Sequence, residues 1–307
     1  MPTTTVVAIF GPTGVGKTAV AVALAERLRD GGEDPAAVSA DALQLYRGLE
    51  TLTGAPSAEQ RARLEHRLLG VLPVTGNSSA GAFARRAHDE IDALLAAGRR
   101  PIVVGGTGLY LRAALAELDF RPPVAPEIRA RRRAQLSAEG PEALHAELAR
   151  RTPAAAAAVK PSDAQRVTRA LELLDAGHPP PPAAERSRLW TAELRRPTLL
   201  AGLTMDREAL QARIEARVDA MVAAGAAREV EAAVAAGASA GARQALGFDA
   251  LLHGNVAAMK AQTRRYAKRQ LTWMRKLPGV TPIDVTAREP DEVAGELHEL
   301  LRERESA

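Results

Sequence analysis

The sequence predicts an α/β fold, a parallel sheet flanked by helices and interrupted by a helical insertion. Three observations lead there. Short apolar, β-branched runs alternate with helical stretches up to residue 118 and resume at Thr198, as strands joined by crossover helices do. The first run leads directly into Gly11-Pro12-Thr13-Gly14-Val15-Gly16-Lys17-Thr18, which matches G-x-x-x-x-G-K-[ST] in full and marks the sheet as a P-loop core. Between Asp119 and Arg196 the strand signal disappears and only helical spacing is left. The expected domains are a core over 1–118 and 197–307 and an insertion over 119–196.

In chain order, Thr4 to Phe10 reads as a buried parallel strand stopped by Gly11-Pro12. Lys17 to Arg29 has helical spacing and ends at Asp30-Gly31-Gly32. Ala37 to Ala40 is a second short strand, Phe83 to Ala97 a helix, and Pro101 to Val104 a strand running into Gly105-Gly106. In the insertion, Glu127 to Ser137, Pro141 to Arg150 and Asp163 to Ala176 read as helices, and Pro179 to Pro182 closes the segment. Thr198 to Leu203 supplies another strand; helices follow at Arg207 to Ala223, Ala226 to Ala235 and Asn255 to Lys276.

Composition bounds the function. The 307 residues are 46% hydrophobic and only 3% aromatic, so an ample core must be built from Ala, Val and Leu. No run reaches the roughly 18 apolar residues of a membrane span. Met1-Pro2-Thr3-Thr4-Thr5 lacks a basic n-region, so the apolar run behind it is expected to be a first strand, not a signal peptide. Without cysteine there is no disulfide or thiolate chemistry, and a cytoplasmic monomer is expected. The net charge of +4 is modest, but Arg129, Arg131, Arg132 and Arg133 cluster, as do Arg264, Arg265, Lys268 and Arg269. Such clusters are either solvated helix faces or a path for a nucleic-acid backbone.

The glycine-rich loop carries the clearest chemistry. Its glycines let backbone amides turn inward, the helix N-terminus adds its positive end, and Lys17 reaches an outer phosphate. The Thr18 hydroxyl stands where Mg²⁺ would sit. Phosphate-hydrolysing relatives of this motif carry an aspartate after a later strand; here Ile102-Val103-Val104 runs into Gly105-Gly106-Thr107-Gly108 with no carboxylate. That favours a transferase that holds its phosphates without hydrolysing them. Asp41 closes the second strand, where it can serve as a general base, a helix cap or an outer Mg²⁺ partner. Arg213 and Arg217 share a helix face, as a surface pair or a diphosphate clamp.

Taken together, these residues resemble the tRNA dimethylallyltransferases. The resemblance rests on Gly11 to Thr18, Asp41-Ala42-Leu43-Gln44-Leu45-Tyr46-Arg47, Pro101 to Tyr110, Asp163 to Glu172, Arg213-Ile214 with Arg217-Val218, and Thr263 to Trp273, all in the family's order. It implies transfer of a dimethylallyl group from dimethylallyl diphosphate to N6 of the adenosine just 3′ of the tRNA anticodon. On that basis Gly11, Thr13, Gly14, Val15, Gly16, Lys17 and Thr18 hold the diphosphate with Mg²⁺, and Arg213 and Arg217 neutralise it as it leaves. ATP is expected to bind the same loop weakly without being consumed. The family's general base falls on Asp41, and Thr107 sits beside the reacting adenosine. Contacts to the anticodon stem-loop are implied for Asp41, Ala42, Leu43, Gln44 and Thr107, and in the insertion for Arg129, Gln165, Arg166, Val167, Thr168 and Arg169. The acceptor base is expected to flip out toward Asp41 and Thr107. Tyr266 and Trp273 are expected as core contacts more than as base-stacking platforms. The chain departs from the family at Leu52-Thr53-Gly54-Ala55-Pro56, which lacks a usual lysine, at His66-Arg67-Leu68-Leu69-Gly70, and at Ala42, where serine is common.

Overall fold

The computed structural model describes residues 4–180 and 188–306, and divides into two compact units. Pro181 and Pro182, expected to close the insertion, lie outside the described residues, as do Met1 to Thr3.

The larger unit, Met1–Leu118 with Trp190–Ala307, holds a six-stranded parallel sheet. Its strands are β1 (Val6–Phe10), β2 (Pro35–Ser39), β3 (His66–Arg67), β4 (Arg100–Gly105), β5 (Thr198–Thr204) and β6 (Val280–Asp284), in spatial order β3-β2-β4-β1-β5-β6. Every residue of β1 and β2 is buried, as expected of parallel strands covered on both faces. Helices α1 (Lys17–Asp30), α2 (Ala80–Ala96) and α3 (Gly108–Leu115) accompany the first strands; α6 (Arg207–Ala223), α7 (Ala226–Ala235), α8 (Val256–Met274) and α9 (Pro290–Ser306) follow β5. The labels α4 and α5 belong to the second unit.

Register places the functional loops together. Phe10 pairs with Gly105 and Ser39 with Val104. Three strands therefore end at one level, and the loops that begin at Gly11, Ala40 and Gly106 leave the same sheet edge. Chain order diverges on either side of β1, which makes this edge the switch-point crevice of an open parallel sheet.

Helix α3, strand β6 and helix α9 are not among the expected elements, although Val293, Ala294, Leu297 and Leu301 of α9 do have helical spacing. Only Ile283 of β6 is buried, and Pro282 is exposed. Proline is tolerated there because β6 is an edge strand with an unused donor side, but in sequence Pro278-Gly279 and Pro282 read as loop.

The smaller unit, Asp119–Leu189, contains α4 (Pro126–Arg151) and α5 (Ala164–Asp175). Helix α4 breaks at Gly140 (φ 79°, ψ 168°) before Pro141, so it comprises the two helices expected from the sequence. Its apolar core gathers Leu144, Leu148, Val167, Ala170 and Leu171. Asp163 caps α5 by accepting from the Arg166 amide at 3.1 Å, a contact worth about 1 kcal/mol. The boundary falls at Leu189 and not at Arg196. Trp190 stacks on Trp273 with ring centroids 4.6 Å apart, and Arg195 and Arg196 both pair with Asp92 at 2.9 Å, tying these residues to the core.

Two expectations for this unit are corrected. Arg132 is buried and bridges Glu147 (2.7 Å) and Asp175 (2.6 Å), while Arg131 and Arg151 also reach Asp175. The Arg132 hydrogen bonds hold the Asp175 carboxyl far below its usual range. Removing one partner from such a network strands a buried charge, so Arg132 is structural and not a free phosphate ligand. The side chains of Val167 and Thr168 are likewise buried and face the core instead of an RNA surface.

Candidate active site

The phosphate loop joins β1 to α1. Gly16 adopts the left-handed conformation (φ 105°) that turns the chain into the helix, a geometry glycine takes without steric cost. The first turn of α1 carries no acidic side chain, so its positive end is uncompensated and faces the crevice. The Lys17 ammonium folds back over the loop, donating to the carbonyls of Gly11 (3.0 Å) and Pro12 (2.8 Å). Burial, with Arg217 nearby, lowers its pKa to about 7, against the opposing pull of Asp41.

Asp41 stands just beyond β2. Its Oδ1 accepts from the Leu43 amide at 2.9 Å, which explains why an aspartate can sit in this turn. Burial raises its pKa, offset in part by the Leu43 amide, Lys17, the Gln44 amide and Arg217. Desolvation makes this carboxylate a stronger base than one in water, and the two basic side chains beside it favour its charged form. The Gln44 side chain accepts from the Ser39 hydroxyl at 2.9 Å and reaches the Gly54 carbonyl at 3.4 Å.

Helix α6 lies over the loop. Ile214 packs against Gly14, and a β-carbon placed on Gly16 would lie 3.5 Å from Arg213 Nη2. One turn on, Arg217 donates to the Gly54 carbonyl at 3.0 Å, while its buried Nε has no hydrogen-bond partner. Burial lowers the Arg217 pKa and the charge of Asp41 raises it. A β-carbon at Gly54 would overlap the Arg217 guanidinium and lie 2.8 Å from Met221. Gly54, in the stretch where the sequence departs from the family it resembles, is therefore the gap that leaves room for this guanidinium. Arg67, in the second departing stretch, is held by Glu65 and Glu90.

Thr107 precedes α3, and its Oγ1 shares a 2.8 Å hydrogen bond with the Tyr266 hydroxyl. Burial, reinforced by the charge of Asp41, pushes Tyr266 up to about 12. Tyr110 is pushed up to about 12 by burial, with Tyr46 and Asp41 adding to it. Both stay neutral hydroxyls near pH 7.

Gln270 of α8 accepts from the Thr13 amide and donates to the Gly106 carbonyl, each at 2.8 Å. The Thr13 amide is thus committed within the protein, and Thr13 can offer an anion only its hydroxyl. Sequence reasoning assigned no role to Gln270, Tyr110 or Gly54, and expected Tyr266 as a core contact more than as a stacking platform. The available signal was the spacing of Tyr266, Gln270 and Trp273, which puts them on one face of α8.

In sum of charge, the crevice holds Lys17, Arg213 and Arg217 around the loop against one carboxylate, Asp41. Thr18 and Asp41 are hard oxygen donors, too few for an all-protein cage but fitting Mg²⁺ shared with a diphosphate, since that ion keeps substrate oxygens and water in its shell. Among the described residues no group of His, Cys, Asp and Glu forms a metal cage. The arrangement can bind a diphosphate, assist its departure and take a proton from an incoming nucleophile.

Comparison with known proteins finds matches over most of the chain. The family model described as IPP transferase matches residues 44–277. The tRNA dimethylallyltransferase of Thermobifida fusca is 42% identical over 292 residues, covering 90% of this chain and 88% of its own. That of Bradyrhizobium sp. is 44% identical over 286 residues, covering 88% and 90%. The crystal structure of the tRNA isopentenylpyrophosphate transferase from Bacillus halodurans superposes with a TM-score of 0.70 at 32% identity, covering 98% of this chain and 97% of that one.

Proposed function

The chain belongs to the tRNA dimethylallyltransferase family, and from that premise we propose that it transfers a dimethylallyl group from dimethylallyl diphosphate to N6 of the tRNA adenosine 3′-adjacent to the anticodon. The observation that carries the reading is Asp41, a half-buried, desolvated carboxylate at the sheet edge within the electrostatic reach of Lys17 and Arg217. In the reaction the allylic C1–O bond breaks and diphosphate leaves with the electron pair. The N6 lone pair forms the new C–N bond, and the N6 proton passes to the Asp41 carboxylate. Lys17, Arg217, Arg213 and the loop amides from Gly14 onward stabilise the charge on the departing diphosphate. Thr107, fixed by Tyr266, is placed to orient the acceptor amine. Mg²⁺, held by Thr18 and the substrate's own oxygens, would add its charge to that stabilisation.

The direct test is incubation with labelled dimethylallyl diphosphate, unmodified tRNA and Mg²⁺, with label expected in the RNA. RNA-dependent ATP hydrolysis without prenylation would overturn the reading.

Donor binding should depend on pH. A diphosphate favours the protonated form of Lys17 and raises its pKa above the free value of about 7. Below that value Lys17 is charged in both states and affinity is full. As pH rises above it, the free enzyme must take up a proton to bind, so affinity falls until the bound-state pKa is passed. Calorimetry in buffers of different ionisation enthalpy should register proton uptake near pH 8.

The helical unit is proposed to grip the anticodon stem-loop. On α5, Gln165 and Arg166 are exposed, and Arg166 has a 3.6 Å side-chain contact to Asp163. Arg169 instead holds the Pro122 carbonyl (2.9 Å) and Glu172 (3.1 Å). Arg129 is half-buried and Arg133 exposed on α4. Arg166→Ala should weaken stem-loop binding and reduce the log–log salt slope by about one, leaving donor binding unchanged. Arg169→Ala should lower the unfolding temperature as well. Identical affinities and slopes for wild type and Arg166→Ala remove this helix from the RNA surface. No helix among the described residues is long and apolar enough to cross a membrane, and a cytoplasmic enzyme acting as a monomer is part of the same proposal.

A further inference from the structure

We propose that Gln270 is a positioning residue that fixes the separation between the phosphate loop and the Gly106-Thr107 loop, and with it the approach of the reacting groups; the inference rests on the activity proposed above. Phe10 and Gly105 are the last residues paired between β1 and β4, and past them the two loops have no ladder to hold them in register. Gln270 supplies the missing rung. Its Oε1 accepts from the Thr13 amide on one loop, and its Nε2 donates to the Gly106 carbonyl on the other, both at 2.8 Å and with the side chain buried. A primary amide offers a donor and an acceptor on separate atoms at one side-chain end, and the two partners specify which atom points where.

Neighbouring side chains extend the same contact. One turn earlier on α8, Tyr266 bonds Thr107 at 2.8 Å. One turn later, Trp273 lies against Gly108 so closely that a β-carbon there would overlap its ring. A β-carbon on Gly106 would overlap the Gln270 amide and stand 3.4 Å from Lys17 Nζ, so the bridge, the acceptor-side loop and the phosphate-binding lysine meet at one point. The same helix is tied to the helix of Arg213 and Arg217 by Lys260–Asp219 (2.7 Å) and Arg264–Glu215 (2.9 Å). Helix α8 therefore references the donor loop, the acceptor loop and the arginine helix to one rigid element. Gln270 touches neither substrate in this account; it acts through the loops.

The test uses the full chain with Gln270→Leu and Gln270→Glu, each checked for cooperative thermal unfolding. Gln270→Leu removes both bonds and is expected to lower kcat about 10–100-fold while the donor KM stays within about threefold, because misplacement by about 1 Å is felt in the chemical step more than in binding. Its Thr13 amide should exchange faster with solvent. Gln270→Glu keeps an acceptor for Thr13 but sets an oxygen against the Gly106 carbonyl, so Thr13 should stay protected while kcat still falls. A folded Gln270→Leu variant with wild-type kcat, or with its whole defect in donor KM, overturns the positioning role. Unchanged Thr13 exchange in that variant overturns the bridge itself. An inactive wild type would count against the proposed activity, and Thr13 exchange reads the bridge independently of it.

Discussion

Asp41→Ala is expected to lower prenyl transfer by about 10²–10⁴-fold, the usual cost of removing a positioned general base, while tRNA affinity stays within a few-fold. The size of the effect follows from the environment. The carboxylate is desolvated, which raises its basicity, while Lys17 and Arg217 favour its charged form, the one that accepts a proton from the N6 amine. Asp41→Asn retains an acceptor for the Leu43 amide and should be nearly as inactive, which separates proton transfer from loop geometry. The sign of the pH dependence is also set. With its pKa raised above the ordinary carboxylate value, Asp41 loses function as the pH falls through that pKa, so the acidic limb of kcat should disappear in Asp41→Ala. Single-turnover assays with stem-loop RNA measure these effects, and near-normal turnover in either variant would sink the assignment.

Lys17→Met should be nearly as severe, reducing kcat/KM for the donor by about 10²–10³-fold through both parameters. Methionine fills a similar length without the charge. The loss divides because the ammonium faces diphosphate before reaction and meets greater charge as the allylic bond breaks. In the free protein Lys17 is hydrogen-bonded to the carbonyls of Gly11 and Pro12, so part of its binding energy goes into leaving them. The variant should also remove the decline in donor affinity above pH 7. A change in donor KM alone, with kcat intact, would mean that Lys17 binds the diphosphate equally in ground and transition states and takes no part in its departure.

Much of the site was legible because it is encoded locally. The phosphate loop is a contiguous turn whose glycines, lysine and threonine are fixed by spacing, and it lies where a strand must end and a helix begin. Asp41 was readable for a similar reason: parallel strands of matched length deliver their C-terminal residues to one edge, and Ser39 pairing with Val104 puts Asp41 there. The periodic helices were found to within a few residues, since burial on one face leaves its period in the sequence. Charge was less informative. Arg132 and Arg133 are adjacent and identical in sequence, yet one is locked between Glu147 and Asp175 and the other is exposed. On α5, Arg166 and Arg169 differ in the same manner.

The sequence by itself determined the groups on offer: a phosphate-binding loop, a carboxylate after the second strand, no aspartate after Ile102-Val103-Val104, and a helical segment with clustered cations. These follow from local backbone preference and residue type, which do not depend on distant partners. Only the tertiary structure decided which side chains share a volume. Thr13 and Gln270 are 257 positions apart and joined by one hydrogen bond. Arg217 reaches the crevice past Gly54, 163 positions away, and Tyr266 meets Thr107 across 159. Contacts between residues so far apart leave no period or spacing in the chain, because their partners are chosen by the packing of α6 and α8 over the sheet edge.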